Sequence, residues 1–289
     1  MLYKARRDLS RSLQAGARRA RLMVGVWLIG ATSAVTVGAQ DLTENRGSGR
    51  GCVSPDIPPH SAKVTSPNGP VTAAWFAGPT QAYQHGVLGD AIEADHLYVR
   101  HADGAFCDSV TAGPQRVFED TSPRLIDLDH DGVNEVIVVA SHAHQGARLE
   151  VYGYPKPGQD FGLLAYTPYI GRAHRWLAPI GAADLDKDGF VEIAYIDRPH
   201  LAKTLRIWRY KRGALTPVAE LAGLTNHKIG QPYISGGIRQ CGDTPEIVTV
   251  DARWRTILYT VLDNSGDLHT KRGARFSGPD SLKTALRCP

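Results

Sequence analysis

Long apolar stretches are almost missing from this 289-residue chain. The longest runs from Leu22 to Val37, 16 residues, short of the roughly 20 that a membrane-crossing helix needs. Amphipathic helical periodicity is scarce, while 30 glycines and 18 prolines are scattered throughout, a composition that suits many short strands joined by turns. No Cys-x-x-Cys pair occurs, which excludes a zinc ribbon or a thioredoxin-type redox site. There is no Gly-x-Ser-x-Gly elbow, His-Glu-x-x-His helix or phosphate loop, so only chemistry that needs no linear motif stays open. A lasting excess of one charge is also lacking. Residues 1–21 hold seven of the 33 basic residues and one of the 29 acidic ones, leaving 26 against 28 in the remainder. The formal +4 of the whole chain therefore belongs to its first segment, and no nucleic-acid footprint remains beyond it.

What is present at the N-terminus reads as an export signal. A basic stretch precedes the Leu22–Val37 run, and Val37-Gly38-Ala39 supplies the small residues a signal peptidase requires. Residues 1–39 are thus expected to be a signal peptide and 40–62 a flexible segment, with an uncleaved anchor as the alternative. The protein is then periplasmic or secreted, with no stable membrane span after cleavage. Cys52, Cys107, Cys241 and Cys288 all follow this leader. Four cysteines in an exported chain point to two disulfides with three possible connectivities, against buried free thiols.

Two segments are copies of one unit. Leu125–Val139 and Ala182–Ile196 each place Asp at loop positions 1, 3 and 5, Gly at 6 and Glu at 9. The residues are Asp127, Asp129, Asp131, Gly132 and Glu135, then Asp184, Asp186, Asp188, Gly189 and Glu192. Calcium takes six to eight oxygens, and alternate short carboxylates on a tight turn converge on one point. Gly at position 6 lets the backbone reverse, so that the carbonyls of Val133 and Phe190 can complete the set. A solvated acidic turn is the plainer alternative. An EF-hand is ruled out, because its position 12 needs an acid and here falls on Val138 or Tyr195. The flanks Val136–Val139 and Ile193–Ile196 are β-branched or aromatic, hence strands.

Strand, Asp-x-Asp-x-Asp-Gly-x-x-Glu turn and strand together resemble the FG-GAP/VCBS repeat, the blade unit of integrin-α-like propellers. Gly89-Asp90-x-x-Glu93 and Gly242-Asp243-x-x-Glu246 are weaker copies whose ligand positions hold His85, Val87 and Gly89, and Ile238, Gln240 and Gly242. The anchors Glu93, Glu135, Glu192 and Glu246 are 42, 57 and 54 residues apart, a period suited to a four-stranded blade. The resemblance implies an all-β fold over 63–289. Its form would be a single β-propeller of four four-stranded antiparallel blades, with five as the alternative count. It implies two calcium ions, one per Asp-rich loop, and no particular reaction. Ring closure would bring the chain ends together, giving Cys52–Cys288, with Cys107–Cys241 bridging the first and last blades.

In such a ring, the loops seven or eight residues past each anchor, and those entering each blade, lie on the face opposite the calcium loops. His142, His144, Arg175, Trp176, Arg198, His200, His227 and Trp254 fall there and form a candidate ligand face. Isolated solvated side chains are the plainer reading of any one of them. The expected function is a monomeric calcium-binding module whose opposite face takes a glycan, peptide or protein. The alternative is an exported hydrolase or lyase, with His142, His200 or His227 as base and Arg175 or Arg198 steadying an anion.

Overall fold

The computed structural model describes residues 52–288 except 103, 105, 106 and 157, so the segment read as a signal peptide lies outside the described residues. The described chain is 18 strands and one short helix. The strands fall into four antiparallel meanders. The first comprises β1 (Val64–Thr65), β2 (Val71–Thr80), β3 (Glu93–His101) and β4 (Cys107–Thr111). In the second, β5 (Arg116–Phe118) and β6 (Arg124–Ile126) both pair with β7 (Glu135–His142), followed by β8 (Gly146–Gly153) and β9 (Gly162–Tyr166). The third is β10 (Leu177–Ala183), β11 (Glu192–Asp197), β12 (Thr204–Lys211) and β13 (Ala214–Ala222). In the fourth, β14 (Leu224–Thr225) and β15 (Gly237–Arg239) both pair with β16 (Glu246–Asp251), ahead of β17 (Thr256–Leu262) and β18 (Leu268–Arg275). By hydrogen bonding these make three sheets of nine, four and five strands, because the pair Ala94↔Phe118 joins the first two meanders. No strand pairing joins the fourth meander to the first among the described residues.

Side-chain alternation explains how the meanders stack. Ile137 and Val139 of β7 face one apolar cluster, while Val136, Val138 and Ala140 face another. Ile193 and Tyr195 of β11 likewise oppose Ala194 and Ile196. A strand buried on both faces reads as a continuous apolar run, and these two do. Three clusters thus lie between meanders. Phe76 and Leu97 meet Phe118 and Val136; Val139 and Leu149 meet Leu177 and Ile193; Ile196 and Ile207 meet Ile247 and Leu258.

Each outer face is covered by a chain terminus. Ala73, Trp75 and Ala77 of β2 pack with Cys52 and Cys107, and Trp75 Nε1 donates to Ser54 Oγ at 3.0 Å. Gly78 N donates to Asp56 O at 3.0 Å and Ala62 N to Thr121 O at 2.9 Å, so the described part of the N-terminal segment bonds to β2 and to the connection between β5 and β6. At the other end α1 (Pro279–Ala285) lays Leu282 and Ala285 on Val248, Val250 and Ile257.

The disulfides follow this plan and correct the expected pairing. They are Cys52–Cys107 and Cys241–Cys288, with Cα–Cα distances of 5.3 and 5.1 Å, in place of Cys52–Cys288 and Cys107–Cys241. The pairing has a physical reason: the segments carrying Cys52 and Cys288 each pack on an apolar face of their own meander, and each bridge holds its segment there. Closing loops of 55 and 47 residues contributes about 4 kcal/mol apiece in the chain-entropy account. Two bridges are consistent with an oxidising compartment. No helix among the described residues is long and apolar enough to cross a membrane.

Candidate functional site

The two Asp-rich segments link β6 to β7 and β10 to β11, and their backbones match. Position 4 has positive φ in both, 63° at His130 and 63° at Lys187; so does position 6, 88° at Gly132 and 89° at Gly189. Left-handed backbone at position 6 is the reason glycine stands there. Their internal hydrogen bonds match as well. Gly132 N donates to Asp127 Oδ2 at 3.0 Å, and Gly189 N to Asp184 Oδ2 at 3.1 Å. Val133 N and Phe190 N donate to Asp131 and Asp188, at 2.7 and 3.0 Å. Leu128 N and Leu185 N donate to Glu135 Oε2 and Glu192 Oε2, at 2.7 and 2.8 Å.

These bonds gather carboxylates. Oxygens of Asp127, Asp129 and Glu135 lie within 4.8 Å of one another, and so do those of Asp184, Asp186 and Glu192. Asp127 Oδ1 and Asp186 Oδ1 are buried with no hydrogen-bond partner, and all-oxygen donors of this kind suit a hard divalent cation. Asp131 and Asp188 stand outside those triads, each capping a turn N–H. The side chain of Val133 joins an apolar cluster, and the ring of Phe190 lies under Lys211 Nζ.

Charge separates the loops. On β12, Arg209 pairs with Glu192 across the ladder. Its guanidinium reaches Glu192 Oε1 at 2.6 Å, Asp188 Oδ2 at 2.9 Å and Asp186 Oδ2. The matching residue on β8 follows Tyr152, the partner of Val136, and is Gly153. Nothing cationic therefore enters the first loop from that strand. Glu135 is pushed up to about 8 by burial and by the charges of Asp129, Asp131 and Asp127. Glu192 is also raised by burial, but Arg209 opposes the shift.

The opposite end of the third meander carries a different chemistry. Leu177 pairs with Asp197 there, whereas Ala183 pairs with Glu192 beside the Asp-rich loop, about 20 Å away along the strand. His174, Arg175 and Trp176 lead into β10, and Arg198, His200 and Leu201 follow β11. With His85 they line a cleft of about 220 Å³, counted to its open mouth. Below His85 lies Glu119, fully buried, whose Oε1 sits 2.5 Å from His85 Nδ1 and whose Oε2 accepts from Ser141 Oγ. Trp176 Nε1 donates to the Glu119 carbonyl at 2.8 Å.

His227 is buried behind the cleft. Its Nε2 faces the Gln231 carbonyl at 2.8 Å, which can only accept, so Nδ1 accepts from His200 Nε2 at 3.0 Å. Burial, then His227 and His85, lower His200 to about 4, so this imidazole is neutral at pH 7. Arg198 is committed to Asp197, Nε to Oδ1 and Nη2 to Oδ2, both at 2.9 Å. Arg175 spends only Nη1, on the His174 carbonyl at 2.9 Å.

Of the eight residues expected on one face, Arg175, Trp176, Arg198 and His200 line this cleft and His227 backs it. His142 and His144 lie elsewhere, His142 edge-on to Tyr169, and Trp254 packs on Phe276 beneath Lys228. His85, in the long β2–β3 connection, reaches the cleft as a loop entering a blade is expected to. Two contributors carry little sequence signal. Glu119 has only its place after apolar Val117-Phe118 as a cue, and Arg209 only its contrast with Gly153.

A second cavity, about 320 Å³, lies under the N-terminal segment and is lined by His60, Phe76, Asp90, Glu93, Phe118 and Asp120, among others. Glu93 is buried there without a hydrogen-bond partner among the described residues. Burial, then the charges of Glu119, Asp90 and Asp120, push it up to about 9. The chain matches no protein-family model and no curated protein.

Proposed function

We propose that this protein is an exported, calcium-stabilised binding module of FG-GAP/VCBS type that takes an anionic glycan in the cleft between His85, His174, Arg175 and His200. The propeller reading rests on one regularity. Glu93, Glu135, Glu192 and Glu246 each open the corresponding strand of a meander, β3, β7, β11 and β16, as the anchors of four blades would. Calcium at the Asp-rich loops rests on the matched donor triads and their orphaned oxygens. The ion would brace β6 against β7, and its role is structural.

The observation that carries the binding reading is the cleft itself: three imidazoles, an indole edge and a spare guanidinium around a shallow opening. Neutral imidazoles accept or donate to sugar hydroxyls, and the Arg175 fork fits a carboxylate. His200, at about 4, is too weak a base to take a proton effectively at neutral pH, which favours binding over catalysis. The competing reading, a hydrolase or lyase, draws on the Glu119–His85 pair. There a buried carboxylate fixes one imidazole nitrogen and leaves Nε2 for substrate.

Calorimetric titration of calcium-loaded protein with a uronic-acid oligosaccharide tests the choice. Binding should be saturable without turnover and should weaken about tenfold or more in Arg175→Ala, the equivalent of about 1.4 kcal/mol. Chain cleavage that is lost in His85→Ala would establish the enzyme instead.

A further inference from the structure

We propose that the two Asp-rich loops are unequal: the loop at 127–135 takes one divalent cation, and the loop at 184–192 is closed by the Arg209 guanidinium and takes none. The inference rests on the calcium reading above and sharpens it to one site. Its basis is a close match of the two loops that fails at the residue across the ladder. Backbone φ, turn hydrogen bonds and anchor glutamates agree between the loops. Across the ladder from the anchor, one has Arg209 and the other Gly153.

In the second loop the guanidinium touches three of the four carboxylates, Asp186, Asp188 and Glu192. One oxygen of each is engaged by a planar fork that cannot lose its charge, and Asp186 Oδ1 stays buried without a partner. A calcium ion would have to expel the fork, and repulsion between the two cations would oppose its entry.

The first loop offers the same oxygens with nothing in their way. Glu135 is 3 % exposed and its Oε2 is held by Leu128 N. Asp127 Oδ1 is buried and unpartnered. Both lie in the same triad with Asp129. β8 supplies no arginine there, and a Cβ on Gly153 would sit 2.8 Å from Leu164 Cδ1 and 3.3 Å from Glu135 Cγ. A cation from solution therefore takes the role that the second loop assigns to its own side chain.

Metal counting by mass spectrometry on the full protein, equilibrated against buffered calcium and desalted, tests the inference. Wild type should hold one equivalent. Glu135→Gln should hold none, Glu192→Gln should keep one, and Arg209→Gln should rise to two. Two equivalents in wild type would overturn the inequality while leaving the calcium reading intact. None in wild type or Arg209→Gln would overturn both. A single equivalent lost in Glu192→Gln and kept in Glu135→Gln would assign the ion to the wrong loop and sink the inference alone. If Arg209→Gln does not fold, Arg209→Lys keeps a positive charge and should stay at one, and the two glutamate variants still decide the assignment.

Discussion

The loops at 127–135 and 184–192 agree in backbone, in turn chemistry and in the strands they join, yet differ in where their positive charge comes from. The second loop carries its own in Arg209, held by three carboxylates. The first has Gly153 at the matching place, and burial together with the neighbouring carboxylates raises Glu135 to about 8. We propose that two copies of one motif solve the repulsion of packed carboxylates by opposite means, one within the chain and one from solution. The lesson is that an Asp-x-Asp-x-Asp-Gly motif specifies a geometry of oxygens. What fills it is set by the residue across the ladder, about 17 positions downstream of the anchor in the second loop.

The strongest way to break the comparison is to remove the internal cation. Arg209→Met leaves Asp186 and Glu192 buried and unpaired, and should cost roughly 3–5 kcal/mol in urea unfolding with chelator present. Added calcium should restore part of that loss, whereas wild type should gain only through its first loop. No loss in chelator would mean that Arg209 adds nothing to the second loop.

Glu93 occupies the anchor position of the first meander and has no ion-pair partner among the described residues, which extends the comparison to a third case. Its carboxyl is raised from 4.5 to about 9 by burial and by nearby acids. A carboxyl raised on folding favours the native state below its unfolded pKa, and that contribution is lost as pH rises through the folded value. The window is thus about 4.5 to 9. Glu93→Gln, neutral throughout, should flatten this slope and raise stability at pH 8 by roughly 1–3 kcal/mol, with little gain at pH 4. Equal slopes in variant and wild type would contradict the assignment.

The smallest expected effect is at Gly153. Gly153→Ala brings a methyl group against Leu164, a flexible side chain, and against the Glu135 stem. It should cost about 1 kcal/mol and weaken calcium binding modestly, since it crowds the anchor without removing an oxygen.

Much of this was legible in the sequence, and the reasons differ by element. The strands β7 and β11 announced themselves because they are buried on both faces, so Val136–Val139 and Ile193–Ile196 are unbroken apolar runs. The Asp-rich turns were legible because their chemistry is local: each ligand and each turn hydrogen bond lies within nine residues. Arg209 and Gly153 were not, since they reach the loops through strand register, which linear spacing does not encode. The disulfides were misread for the same reason. Nothing near Cys52 or Cys288 reveals that each terminus must cover the bare face of its own meander. Four of the cleft's residues were found because they flank β10 and β11, while Glu119, the buried partner of His85, arrives from a distant connection.

Hydrogen–deuterium exchange of the full protein, in calcium and in chelator, tests the central claim most directly. The account predicts that calcium slows exchange across 127–135 and leaves 184–192 unchanged, the latter already protected by its own guanidinium. Equal protection of both loops by calcium, or protection confined to 184–192, would contradict it.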